Sequence, residues 1–278
     1  MLMVQLEPGI ITYSSFISVC GTAGEWQLAV HLLETVPVQR DVISYNSAIT
    51  ACERGGQWPL ALQILSNMNA EVDVIPDTIS YSSAISACEA GGEWKMALQL
   101  LTCAIAAVQP SLITYNTAIA AFAEASEWSL CLQVLAEMKT SEVLPDIITY
   151  NSTIVSYEPM GQWPAALHAL ALIAAEALLP NVITCASALS VCESAAQWEL
   201  SLQLLERMRV SQVPPNVTCF ESAIGAMNAT TQSTPRLIAL LGQVQVLGEG
   251  WEMWSLVRGG ETLDGIGLTL ISLAEGEQ

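Results

Sequence analysis

The chain has 278 residues, 52% of them hydrophobic and only 13% charged, with 27 acidic residues against 8 Lys plus Arg and a net charge of −19. That is enough apolar material to bury a substantial core, which excludes a disordered chain. The acidic balance disfavours non-specific attraction to nucleic acid or to an anionic membrane.

Met1–Pro8 has neither the basic n-region of a signal peptide nor the Arg-rich character of a transit peptide, so no targeting segment is visible. A repeat starts almost at once, as expected of a fragment or an incomplete gene product. Tryptophan marks it: Trp26, Trp58, Trp94, Trp128, Trp163 and Trp198 are spaced 32, 36, 34, 35 and 35 residues apart. Tyr13, Tyr45, Tyr81, Tyr115 and Tyr150 keep the same step, and Cys185 and Phe220 continue it. The units are 10–41, 42–77, 78–111, 112–146, 147–181 and 182–216, with a seventh that starts at Val217 and decays.

Each unit predicts two helices. In the second, Tyr45, Ala48, Ile49 and Cys52 form one apolar stripe at i, i+3, i+4 and i+7, and Gly55-Gly56 then breaks the helix. Trp58, Ala61, Leu62, Leu65 and Met68 repeat the spacing on a second helix, with Pro59 in its first turn, as Pro164 is in the fifth unit. Asp41, Asp77, Asp146, Asn181 and Asn216 stand just before the first stripes and read as N-caps. Mean hydropathy is +0.46, but the most apolar stretch, Ala165–Leu179, is 15 residues long and carries His168 and Glu176. A membrane span needs about 20 nearly uncharged residues, so no membrane association is expected. The predicted fold is all-α, an α-solenoid in which each two-helix unit packs on its neighbours. Organisation follows: a lead-in over 1–9, repeats over 10–229, and a glycine-rich tail over 230–278 whose apolar segments, Leu237–Leu241 and Leu268–Leu273, could cap the last repeat.

The segments VISYNSAITACERGGQWPLALQILSNM (42–68) and IITYNSTIVSYEPMGQWPAALHAL (147–170) resemble the pentatricopeptide repeat family. The tetratricopeptide type would open its first helix on a Trp–Leu–Gly–Tyr pattern that these units lack. The resemblance covers residues 10 to about 227 and implies a right-handed superhelix that binds single-stranded RNA in a mitochondrion or chloroplast, roughly one nucleotide per repeat. It implies that the fifth and last residues of each unit choose the base. The pairs are Ser14 with Asp41, Asn46 with Asp77, Ser82 with Ser111, Asn116 with Asp146, Asn151 with Asn181, and Ala186 with Asn216. By the family's rules these favour something near 5′-G-U-n-U-C-n, the third and sixth pairs being poor or unreadable. The second residue, isoleucine throughout (Ile11, Ile43, Ile79, Ile113, Ile148 and Ile183), would sandwich the base. A β-branched residue there could equally pack on the next unit, and the last-position Asp and Asn could serve only as caps.

The pattern departs from the family at the thirteenth position, where a lysine often meets phosphate. Here Thr22, Arg54, Ala90, Glu124, Pro159 and Ser194 stand there, leaving Arg54 as the one candidate phosphate contact. Glu53, Glu89, Glu158 and Glu193 hold the twelfth position. On a helix, residues 2, 5, 9 and 12 share a face, so these glutamates stand beside the base-reading residues. A basic protein or peptide held in an acidic groove is therefore the second reading.

Other chemistry finds no support in the sequence. Cys20, Cys52, Cys88 and Cys192 share one repeat position with Phe122 and Tyr157, which marks small core residues, and no C-x-x-C occurs. His31 and His168 share a position that other units fill with Gln63, Gln99, Gln133 and Gln203, an ordinary polar helix surface. No metal, no cofactor and no catalytic residue is expected, and DNA is not an expected partner.

Overall fold

The computed structural model describes residues 9–35, 40–71 and 73–229. The expected tail at 230–278 and all but the last residue of the lead-in lie outside them. Among the described residues there are thirteen α-helices, one 3-10 turn and no strand, and no helix is long and apolar enough to cross a membrane. The chain falls into two compact units that divide between Ser156 and Tyr157.

The first unit holds α1 (Ile10–Ala23), α2 (Trp26–Thr35), α3 (Val42–Arg54), α4 (Trp58–Ala70), α5 (Thr78–Ala90), α6 (Trp94–Ala107), α7 (Leu112–Glu124), α8 (Trp128–Thr140) and α9 (Ile147–Ser156). Its odd-numbered helices pack side by side in chain order, and each even-numbered helix packs on the odd-numbered helices before and after it. The predicted stripe is what they bury. Tyr45, Ala48, Ile49 and Cys52 of α3, and Tyr115, Ala118, Ile119 and Phe122 of α7, are all buried. Each such isoleucine contributes about 1.5–3 kcal/mol by leaving water. On the second helices the small residues Ala61 and Ala97 are also fully buried, and their size suits close helix approach.

The second unit opens with a 3-10 turn (Glu158–Met160), followed by α10 (Trp163–Ala175), α11 (Val182–Ser194), α12 (Trp198–Val210) and α13 (Val217–Asn228). The sequence pattern alone would carry α9 further. Pro159 prevents this, because it has no N–H to give to the carbonyl four residues back. Tyr157 is nevertheless buried in the position that cysteine fills elsewhere.

Side chains cap the first helices as expected. Asp41, Asp77, Asp146, Asn181 and Asn216 each accept a hydrogen bond from the backbone N–H three residues on, at 2.9–3.1 Å, and Ser111 does the same for α7. Each such cap is worth about 1 kcal/mol.

The Gly-Gly pair proves to have two separate jobs. Gly56 and Gly92 terminate their helices in the left-handed region, at φ +65° and +69°. Gly55 and Gly91 have ordinary helical φ; what they supply is room. A Cβ on Gly55 would overlap Cδ1 of Trp26, and one on Gly91 would overlap Cδ1 of Trp58. The pyrrole side of each of these indoles therefore lies directly against the glycine that ends the first helix of the next repeat. The repeat tryptophans are half-buried rather than fully enclosed, and Trp26 and Trp58 cover the seam to the next repeat.

Candidate nucleic-acid interface

All six second-position isoleucines lie at the surface. Ile11, Ile43, Ile79, Ile113, Ile148 and Ile183 are 58–78% exposed. Packing against the next unit is thus not their role. Each repeat instead presents a branched apolar side chain to solvent, one helical turn before its fifth residue. In the first unit this places an apolar row beside a polar one, an arrangement suited to flat heterocycles that need both stacking and edge hydrogen bonds.

The polar row is ordered most fully in the second and fourth repeats. Asn46 Nδ2 donates to Asp77 Oδ1 at 3.1 Å, and Asn116 Nδ2 donates to Asp146 Oδ1 at 3.2 Å. The two residues of each pair come from neighbouring first helices, so stacking α3 on α5, and α7 on α9, creates the pair. Burial tends to raise the Asp77 carboxyl, but the Ser80 backbone N–H, the Asn46 amide and the Ser80 hydroxyl outweigh it and hold the group below its ordinary value. Asp146 is lowered in the same way, by Thr149 and Asn116 against burial. Both are therefore anionic at neutral pH.

The other predicted pairs differ. Ser82 Oγ turns back to the carbonyl of Ile79 at 3.1 Å, and Ser111 is engaged with Thr114. Ser14 Oγ donates to Ile11 O at 3.2 Å, while the Asp41 carboxylate accepts from the Ser44 hydroxyl at 2.5 Å. Asn151 Oδ1 is buried and takes no hydrogen bond among the described residues. Asn181 and Asn216 are exposed caps, and Ala186 has no polar group to offer. Arg54, the candidate phosphate contact, is exposed but donates to Thr22 O at 2.6 Å. That bond ties it to the carbonyl end of α1, where a cation is favourable.

The twelfth-position glutamates have partners that the sequence does not announce. Glu53 accepts from Ser86 Oγ at 2.7 Å, and Glu158 accepts from Ser190 Oγ at 2.6 Å. Each donor is the ninth residue of the following repeat, so these carboxylates bracket adjacent repeats. The ninth residue of the repeat that follows Glu89's own is Ala120, whose side chain has no hydrogen to donate. Burial, followed by the charges of Glu124 and Glu53, pushes Glu89 up to about 7. The face is therefore acidic, but less so near neutral pH than its formal charge suggests.

No group of three or more His, Cys, Asp or Glu side chains that could hold a metal ion occurs among the described residues. Burial pushes the Cys52, Cys88, Cys131 and Cys192 thiols up to about 11, which leaves them inert.

The repeats can be compared with known proteins on this footing. The PPR repeat family model matches residues 110–157, the pentatricopeptide repeat domain matches 28–90 and 173–229, and the PPR repeat matches 11–36. Together they account for about two thirds of the chain. The chain belongs to the pentatricopeptide repeat family. Among solved structures, the pentatricopeptide repeat protein PPR10 from maize is similar at 26% identity and a TM-score of 0.67, over 86% of this chain and 34% of that one. The chain thus spans about a third of the maize protein's length. PPR10 in complex with an 18-nt psaJ RNA element matches at 23% identity with a TM-score of 0.53, over 89% of this chain and 35% of that one. The PPR domain of protein-only RNase P 1 from Arabidopsis thaliana, in complex with tRNA, shares the fold at 18% identity and a TM-score of 0.54, over 61% and 91% of the two chains. No curated protein sequence matches this chain closely enough to count.

Proposed function

We propose that this pentatricopeptide repeat protein binds single-stranded RNA, one nucleotide per repeat, in organelle RNA processing, stability or translation. The observation that carries the reading is the exposed isoleucine row beside the ordered Asn46–Asp77 and Asn116–Asp146 pairs. After their internal bonds, each asparagine keeps one N–H and one lone pair for a base edge. That donor–acceptor combination complements uracil. Stacking contributes about 1–3 kcal/mol per base, and with Arg54 as the one thirteenth-position cation, few phosphates are neutralised. The salt dependence of binding should therefore be shallow. The base-reading set is Ser14, Asp41, Asn46, Asp77, Ser82, Ser111, Asn116, Asp146, Asn151, Asn181, Ala186 and Asn216, with the second and fourth pairs the most discriminating.

The test is binding of the purified chain to an RNA containing GUNUC against a scrambled control across a salt series. Tighter binding to the designed RNA, with a shallow salt slope, supports the reading. Asn116→Ser should then move preference at one nucleotide from uracil towards guanine while the array stays folded. No binding even at low salt defeats the proposal. It would favour a basic peptide or protein as the occupant, a reading to which the carboxylates of Glu53, Glu89 and Glu124 already lend weight.

A further inference from the structure

The base-facing amides of Asn46 and Asn116 are held by a third residue in addition to the last-position aspartate. Ser80 Oγ donates to Asn46 Oδ1 at 2.6 Å. Thr149 Oγ1 donates to Asn116 Oδ1 at 2.5 Å. Ser80 and Thr149 are each the third residue of the repeat that follows, and both are fully buried. Neither can touch RNA.

The polarity of each network is fixed from the backbone outward. The N–H of Asp77 donates to Ser80 Oγ at 3.1 Å, and the N–H of Asp146 donates to Thr149 Oγ1 at the same distance. With a lone pair occupied in this way, each hydroxyl turns its own proton towards the asparagine. The Asp77 carboxylate is 3.0 Å from Ser80 Oγ and the Asp146 carboxylate 2.8 Å from Thr149 Oγ1, each a longer distance than that to the amide oxygen, and each carboxylate already accepts from a backbone N–H at 2.9 Å and from the asparagine Nδ2. The ring runs from the aspartate N–H to the hydroxyl, to the amide oxygen, and from the amide nitrogen back to the aspartate carboxylate.

Inverting the asparagine would set its carbonyl against a carboxylate, acceptor to acceptor, and its amide nitrogen against a hydroxyl proton. Both contacts would become repulsive, so one orientation is selected. The terminal torsion of asparagine is otherwise broad. Holding the amide at its nitrogen alone fixes which edge faces the carboxylate but leaves the plane free to tilt. Holding it at both ends fixes the plane.

From this we infer that Ser80 and Thr149 are positioning residues for base selection: each hydroxyl aims the asparagine of the preceding repeat at the base. The inference rests on the RNA reading above. It extends the recognition unit from two residues to three, the third coming from inside the next helix. It also accounts for repeats that lack such order. The Ser44 and Thr184 hydroxyls donate to their own caps, Asp41 and Asn181, and bond to no fifth-position residue among the described residues. Ser82, with a side chain shorter than asparagine's, bonds within its own helix and does not engage Thr114.

The test uses the full chain with Ser80→Ala, Ser80→Thr, Thr149→Val and, as a control, Asn46→Ala. Binding is measured to GUNUC RNAs carrying uracil or cytosine at the second or fourth nucleotide. Ser80→Ala should reduce the uracil-over-cytosine preference at the second nucleotide about two- to tenfold, the worth of one neutral hydrogen bond, and leave the fourth unchanged. Thr149→Val should do the reverse, and Ser80→Thr should retain the wild-type ratio. A general loss of fold or affinity cannot mimic a preference lost at one nucleotide only. In the RNA-free protein, 15N relaxation of the Asn46 side-chain amide should report greater mobility in Ser80→Ala than in wild type. If Asn46→Ala abolishes the preference while Ser80→Ala keeps it, with an equally rigid amide, the positioning role is overturned and base reading stands. If the wild type shows no preference at either nucleotide, both fall together.

Discussion

Glu89 offers the sharpest test of how the repeats stack. Its carboxylate is half-buried, the following repeat carries Ala120 where the repeats after Glu53 and Glu158 supply a serine hydroxyl, and the charges of Glu124 and Glu53 bear on it. Its folded value is about 7 against an ordinary 4.5. A raised carboxyl binds its proton more tightly when folded, so stability is greatest below the unfolded value and declines as pH climbs from about 4.5 to about 7. At about 1.4 kcal/mol per unit the full effect would be about 3.5 kcal/mol, and because the side chain is only partly enclosed, solvent reduces this to about 1–2 kcal/mol. Glu89→Gln removes the titration while preserving shape. Urea midpoints followed by tryptophan fluorescence at pH 5, 6, 7 and 8 should show the variant gaining on wild type by about 1–2 kcal/mol across that range. A difference that stays flat with pH, or that shrinks as pH rises, would refute the reasoning.

Ala120→Ser should give Glu89 the hydroxyl it lacks, lower its titration towards the ordinary carboxylate range, and raise the urea midpoint at pH 8 more than at pH 5. Gly55→Ala should destabilise the array by about 1–3 kcal/mol, because the new methyl collides with the Trp26 indole; thermal melting would show it, and an unchanged melting temperature would remove the account of the seam. Ala196→Gly, at φ +53°, should stabilise by about 1 kcal/mol in the same assay. Ile43→Ala should leave stability almost unchanged, since the side chain is 63% exposed, yet weaken RNA binding by about 1 kcal/mol; equal affinity would deny the row its stacking role.

The repeat, its two-helix units and its caps are legible from the chain alone. Tryptophan and tyrosine recur at a fixed step, apolar residues return at helical spacing, and the capping aspartates and asparagines stand at each entry. These are local signals, and a local hydrogen bond or a buried stripe answers each one. Which residues occupy each face is likewise a matter of helical geometry, so the alignment of positions 2, 5, 9 and 12 could be read without a structure.

Tertiary structure decided what lies between repeats, because every such contact joins residues about thirty or more positions apart. That Asn46 engages Asp77 and Ser80 together, that Glu53 finds Ser86, and that Gly55 is reserved for Trp26 depend on how one first helix settles against the next. The isoleucines carry the same lesson. A β-branched residue at a helix start is compatible with burial or exposure, and only the spacing of stacked helices leaves these six in solvent. Sequence fixes the faces of each helix, through the pitch of its own backbone; the packing of neighbours determines which side chains on those faces are satisfied and which remain available to a ligand.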